Sequence, residues 1–240
     1  MSASLLIARR ELSGYLRSMT GYIVIAVVLL IDALLFNAHA MEGARRSSEV
    51  LSRFFYVSSG TTMAAAIFLS MRLIAEERQT GTLMLLYSSP VRDGEIIFGK
   101  WLSAFLFIAL LSACTFFMPM LILLNGKVSL GHLAAGYVGI LLVGAAATAI
   151  GTFGSTLARS QVLAVISSGV MLVALLVCWI LGAVTERPFN EVFTALAMHG
   201  MHFAPFQAGI IHTRDVVYYG LLTYVFLFAS TRVLEARRWQ

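Results

Sequence analysis

Six stretches of this chain run for 16 to 26 residues with at most one charged side chain in each. They are residues 21–40, 54–71, 101–126, 132–157, 162–184 and 216–231. Crossing the roughly 30 Å hydrocarbon core of a bilayer takes about 20 apolar residues of helix. A helix on the surface of a soluble domain keeps a polar face, and these stretches have none. In lipid each backbone N–H and C=O needs a partner within its own segment, so each stretch reads as a helix and the fold as an all-α membrane protein. The sixth stretch is short, and Asp215 and Arg232 are expected to snorkel at its two ends.

Composition narrows the function classes. Hydrophobic residues make up 59% of the chain and charged residues 12%, against roughly 45–50% and 25% in soluble domains. A disordered chain is excluded, and a soluble enzyme does not fit. The net charge is +5. In a soluble protein that excess would suggest nucleic acid, but no polar segment carries a basic stripe with interleaved aromatics. Nucleic acid is therefore not an expected partner, and the lipid bilayer is. Cys114 and Cys178 both lie inside apolar runs, which gives no disulfide framework and no zinc spacing.

Residues 192–213 form a seventh uncharged stretch, and the distribution of basic residues decides how to read it. With six spans and both termini cytoplasmic, only Arg45, Arg46, Arg53, Lys127, Arg187 and Arg214 lie outside and the other eleven lie inside. A seventh span would leave nine against eight and erase the asymmetry that orients membrane proteins. Residues 184–213 are therefore expected outside. They are too apolar for a free loop, so re-entrant helices broken near Gly200–Pro205 are expected between spans five and six. An outer gate built from His199, His202, Phe203, Pro205 and Phe206 follows from that reading. Met198, His199, Met201 and His202 offer nitrogen and thioether ligands that would suit copper. Polar residues of a re-entrant turn explain them better, and no metal site is expected.

Residues 2–18 alternate apolar positions with Arg9, Arg10, Glu11 and Arg17 at helical spacing, which predicts an amphipathic interfacial helix. Asp32 is the one acidic residue inside a predicted span. Such a residue faces a bundle interior or a wet cavity, and His39 lies seven residues on along the same face. A substrate path and a polar contact in a dimer interface fit the pair equally. In span four, Ala147, Gly151 and Ser155 form a small face that lets helices approach closely. Pro119 predicts a kink in span three.

Between spans two and three lies the most charged loop. Glu76, Glu77 and Arg78 suit a helix that Gly81 ends, and Thr82 can cap a short helix after it. That helix would expose Leu83, Leu86 and Tyr87 before Pro90 stops it. A short amphipathic helix held between two spans suits docking in a groove of a soluble partner. A solvated loop is the plainer alternative.

The run E-E-R-Q-T-G-T-L-M-L-L-Y-S-S-P-V-R-D-G-E-I-I-F-G-K at 76–100 resembles the signature of the ABC-2 class of ABC-transporter permeases. Met84 departs from it, because a glutamate usually follows G-T-L. The start, A-R-R-E-L-S-G-Y-L-R-S at 8–18, is similar to the family's interfacial helix. The end, P-F-Q-A-G-I-I-H-T-R-D-V-V-Y-Y at 205–219 with L-E-A-R-R-W at 234–239, resembles the gliding-motility-associated and nitrous-oxide-reductase-accessory branch. The resemblance implies one transmembrane domain over 1–240, with residues 76–90 as the coupling helix on a cytoplasmic ATPase. It also implies a second permease copy, an accessory periplasmic or membrane protein, and a place in the bacterial inner membrane. ATP and magnesium would be bound by the partner chain, and no cofactor by this one. Gly94–Lys100 has P-loop spacing, but Trp101 stands where the magnesium-binding hydroxyl belongs. No catalytic constellation is visible, so the chain is not expected to be an enzyme. A membrane scaffold or sensor that uses no ATP is the competing reading.

Overall fold

The computed structural model describes residues 3–40, 46–82, 91–125 and 128–238, and no strand occurs among them. The helices are α1 (Ala3–Arg17), α2 (Met19–Ala40), α3 (Ser47–Ser70), α4 (Arg72–Gln79), α5 (Asp93–Cys114), α6 (Phe117–Asn125), α7 (Leu130–Leu157), α8 (Gln161–Val184), α9 (Phe189–Leu196), α10 (Ala204–Gln207) and α11 (Thr213–Arg238). Among the described residues six helical stretches are long and apolar enough to cross a membrane: Gly21–Ala38, Ser47–Gln79, Asp93–Leu124, Leu130–Leu157, Gln161–Val184 and Thr213–Arg237. These are the six stretches that the charge pattern marks out.

The centre of the bundle is α3 against α7. About two-thirds of each of these spans is buried, against about a tenth of α2 and α11, so the outer helices turn most of their apolar surface away from the chain. Without water to drive helices together in a membrane, close packing has to do it, and small residues permit that. On α7, Gly136 lies against the Phe55 ring, Gly139 against Phe206, and Gly151 against Ser70, where an added β-carbon would fall 2.4 Å from that of the serine. Gly151 and Ser155, two members of the predicted small face, thus meet the junction between α3 and α4.

Local chemistry sets the ends. The Ser129 and Ser160 hydroxyls accept hydrogen bonds from the N–H groups of His132 and Leu163, which caps α7 and α8. Gly81, at φ +74°, takes the left-handed conformation that ends α4, as Gly readily does. The third span breaks outright between α5 and α6. Pro119 has no N–H to offer the Thr115 carbonyl, which accepts from Met118 instead at 3.1 Å. The residues after α8 form two short helices, α9 and α10, with a non-helical stretch from 197 to 203 between them and Gly200 at φ +74°. The break falls where Gly200 and Pro205 forecast one. The capped helix expected after Thr82, with Leu83, Leu86, Tyr87 and Pro90, lies outside the described residues.

Candidate functional site

One end of the bundle is a charged platform built on Lys100. This lysine opens the apolar part of α5, yet its side chain is 2% exposed, and its ammonium lies 2.8 Å from Glu77 of α4 and 3.2 Å from Glu11 of α1. The preceding residue explains how α1 comes so close. Gly99 packs against the Ser4 carbonyl and Ile7, where a β-carbon would sit 2.6 Å from that oxygen. Three helices are thereby tied at one buried cation. The Tyr15 hydroxyl of α1 donates to the Leu69 carbonyl of α3. Burial first, and the Glu11 charge second, push its pKa well above the ordinary range, so it stays a neutral donor.

The acid–base run of α4 is engaged residue by residue within the chain. Glu76 takes a two-pronged ion pair from Arg72, at 2.7 and 3.0 Å. Glu77 meets Lys100. Arg78 donates to the Ala158 carbonyl just past α7, and Arg237 of α11 donates to the neighbouring Leu157 carbonyl at 2.9 Å. Two guanidinium groups thus satisfy carbonyls that the end of α7 leaves without helical partners. The Ser155 hydroxyl of α7 accepts from the N–H groups of Ile74 and Ala75 and donates to the Met71 carbonyl, each at 3.0 Å. Thr82 folds back on α4, its hydroxyl 2.9 Å from that of Thr80. Lys100, Ser155 and Arg237 all fall within patterns that the sequence shows, but no pattern gave them these partners. Their partners lie about 80 residues away or on another helix.

Asp32 points into the bundle. It is 1% exposed, and its carboxyl oxygens lie 2.8 to 3.1 Å from the hydroxyl oxygens of Ser58 and Thr61 of α3. No lysine or arginine among the described residues pairs with it. His39 lies at the end of α2, and its side chain is outside the described set.

The opposite end holds α9 and α10 by a ring of polar contacts. His202 and Asp215 are both buried and meet at 2.7 Å, with the Tyr218 ring stacked 3.9 Å from the imidazole. Asp215 therefore does not snorkel as expected at the end of a short span. It is a buried partner for a histidine 13 residues earlier, inside a helix that begins at Thr213. Arg232, at the other end, is exposed and lies over the Phe228 ring. The Tyr218 and Tyr219 hydroxyls donate to the carbonyls of Leu196 and Met198. His132 of α7 and Ser52 of α3 converge on the Gln207 carbonyl. His199 meets Ser59 of α3 at 2.9 Å, so His199 and His202, three residues apart, serve different spans. Burial holds the His199 pKa below its ordinary value. Phe203 and Phe206 are fully buried, while Pro205 is the second residue of the single turn of α10.

Two open cavities run along the face between α2, α3 and α8. One, of about 590 Å³, extends from Tyr15 and Arg72 to Ile31, Thr61 and Ala64. The other, of about 930 Å³, continues from the same three residues to Arg53, Tyr56, Trp179 and His199. Together they make one apolar groove whose waist lies beside Asp32.

A family model described as ABC-2 family transporter protein matches residues 5–191, more than three-quarters of the chain. The chain belongs to the ABC-2 transporter family. It is a multi-pass membrane protein and a transmembrane subunit of an ABC transporter. Permeases of this family normally partner with a cytoplasmic ATPase. A comparison with curated proteins finds no match.

Proposed function

We propose that this ABC-2 permease couples ATP hydrolysis by a separate cytoplasmic subunit to export or force transmission across the bacterial inner membrane. The observation that carries the reading is the platform. Glu77, Arg78 and Ser155 join the run that resembles the coupling signature to α1, α5 and α7. A push delivered beside Gly81 would therefore reach several spans at once. The platform end is cytoplasmic on this reading, with α1 at the interface, both termini inside, and α9 and α10 dipping in from the outer face as a gate. ATP and magnesium belong to the partner, and this chain holds no cofactor. The wide apolar faces of α2 and α8 flank the groove and suit a second copy, which would close it into a path. The pattern at 205–219, beyond the matched residues, supports the gliding-motility and nitrous-oxide-reductase-accessory branch and with it an accessory protein.

The test is co-purification. Leu83→Asp combined with Leu86→Asp should detach the ATPase while the chain stays inserted. Undiminished ATPase recovery with that variant would refute the docking role, whereas no ATPase with the wild-type chain would favour a scaffold that uses no ATP.

A further inference from the structure

We propose that Asp32 is a proton-binding site, a neutral carboxylic acid held between the first and second spans at the waist of the groove. Three observations carry it. First, the carboxyl group is buried in the middle of a span with no basic partner among the described residues. A carboxylate there is stripped of most of its hydration by burial and has no basic residue to balance it, and such a group takes up a proton in preference to bearing the charge.

Second, the hydrogen count fits the acid. Ser58 Oγ lies 2.8 Å from Asp32 Oδ2, its nearer oxygen, and 3.1 Å from Oδ1, so its one hydrogen serves the carboxyl group as a single forked contact. Thr61 Oγ1 lies 3.1 Å from Asp32 Oδ1 and 3.1 Å from the Ser58 carbonyl. The two hydroxyls carry two hydrogens between them, so an ionised Asp32 leaves one of these three contacts without a proton. One added proton completes the chain. Ser58 donates to Oδ2, the acid O–H at Oδ1 donates to Thr61, and Thr61 donates to the Ser58 carbonyl.

Third, the site borders open space. Thr61 and Ile31 line both cavities, so a modest parting of α2 from α3 would bring the acid to the groove. The ionisable groups around it are few. Tyr137 of α7 interacts with Asp32 electrostatically, and His199 bonds Ser59, the neighbour of Ser58. Tyr15 of α1 and Arg72 stand at one end of the groove, Arg53 at the other. Arg72 is occupied by Glu76, and Arg53 lies 3.7 Å from Glu49. The proton is therefore bound while α2 and α3 are packed together and is lost to water when they part.

The experiment is infrared difference spectroscopy on the purified full chain in lipid nanodiscs, without ATPase, so the result does not depend on the proposed coupling. Wild type minus Asp32→Asn should contain the C=O stretch of a protonated carboxylic acid at neutral pH. Thr61→Val removes the acceptor of the acid O–H and should move that band to the higher frequency of a free acid. The second variant keeps the test open if the first fails to fold. Thermal unfolding should agree: wild type loses stability relative to Asp32→Asn as pH is raised, because only wild type has a proton to give up there. The loss of carboxylate bands alone in Asp32→Asn, or parallel stability curves for the two proteins, would overturn the proposal. So would a wild-type acid band that disappears on adding sodium at constant pH, which would reassign the site to a metal cation.

Discussion

Replacing Lys100 with methionine should cost more stability than any other single change at the platform. Methionine keeps most of the aliphatic stem and its packing, so the loss is the ammonium alone. What remains is Glu77 and Glu11, side chains 18% and 25% exposed, facing one another with no cation between them. Removing one partner of a buried ion pair costs about 3–5 kcal/mol, because the other charge stays buried. The partial exposure of both carboxylates puts Lys100→Met near the lower end, about 3 kcal/mol. Glu11→Gln in that background removes one of the two stranded charges and should restore about 1 kcal/mol. Glu11→Gln alone keeps the shorter Glu77 contact and should cost about 1 kcal/mol or less. Equilibrium unfolding in mixed micelles of rising denaturing-detergent fraction measures all three proteins on one scale. If Lys100→Met unfolds within about 1 kcal/mol of wild type, or if Glu11→Gln destabilises it further, the lysine does not tie the three helices as argued.

Ser155→Ala leaves two buried N–H groups of α4 without their acceptor and should cost about 1–3 kcal/mol in the same unfolding assay, whereas Ser167→Ala, half-buried on α8, should be nearly silent. His199 is held below its ordinary pKa of 6.5, so its stabilising share is full above that value and drains as pH falls below it, when the unfolded segment takes up a proton first. The α9–α10 segment should loosen on acidification, read by the fluorescence of Trp179, on which Gly200 packs; His199→Gln should flatten that response, and an unchanged response would refute the assignment. For the topology, an impermeant thiol reagent should label Thr185→Cys in intact cells and spare Ser88→Cys until the membrane is opened; the reverse pattern would invert the orientation.

What the sequence could reveal differs from element to element for physical reasons. Span positions follow from one local property, the absence of charge over about 20 residues, and all six appear as helices, the second, third and sixth running six to eight residues past an expected limit into charged sequence. The break between α9 and α10 was also local, written in Gly200 and Pro205. Helix faces were harder. A helix between lipid and protein is apolar all round, so periodicity no longer separates the buried side of α3 from the open side of α2. The polar ties were hidden for another reason. Glu77 finds Lys100 only once α4 folds back on α5, and Arg78 finds a backbone carbonyl, which has no sequence signature. Asp215 looked like an end-of-span charge because its partner, His202, belongs to a segment whose placement no local rule supplies. The family resemblance marked out the run but said nothing of its partners within the chain, which are Arg72 for Glu76, Lys100 for Glu77 and the Ala158 carbonyl for Arg78.

The helix α7 spans 28 residues, about 42 Å at 1.5 Å per residue. Its final turn is held by Arg78, Arg237 and Ser155, and its first turns carry the Gln207 carbonyl and the Phe206 ring. It is a connecting rod whose two ends are both loaded. Its glycines would make it a compliant one in isolation, since glycine weakens a helix interior by roughly 1 kcal/mol each. Phe55, Ile108, Ser70 and Ser168 fill the space beside Gly136, Gly144, Gly151 and Gly154, so the stiffness comes from its bearings. Strain applied at one end would travel undiminished only while those side chains stay seated, and enlarging or removing any of them would choose where the rod bends.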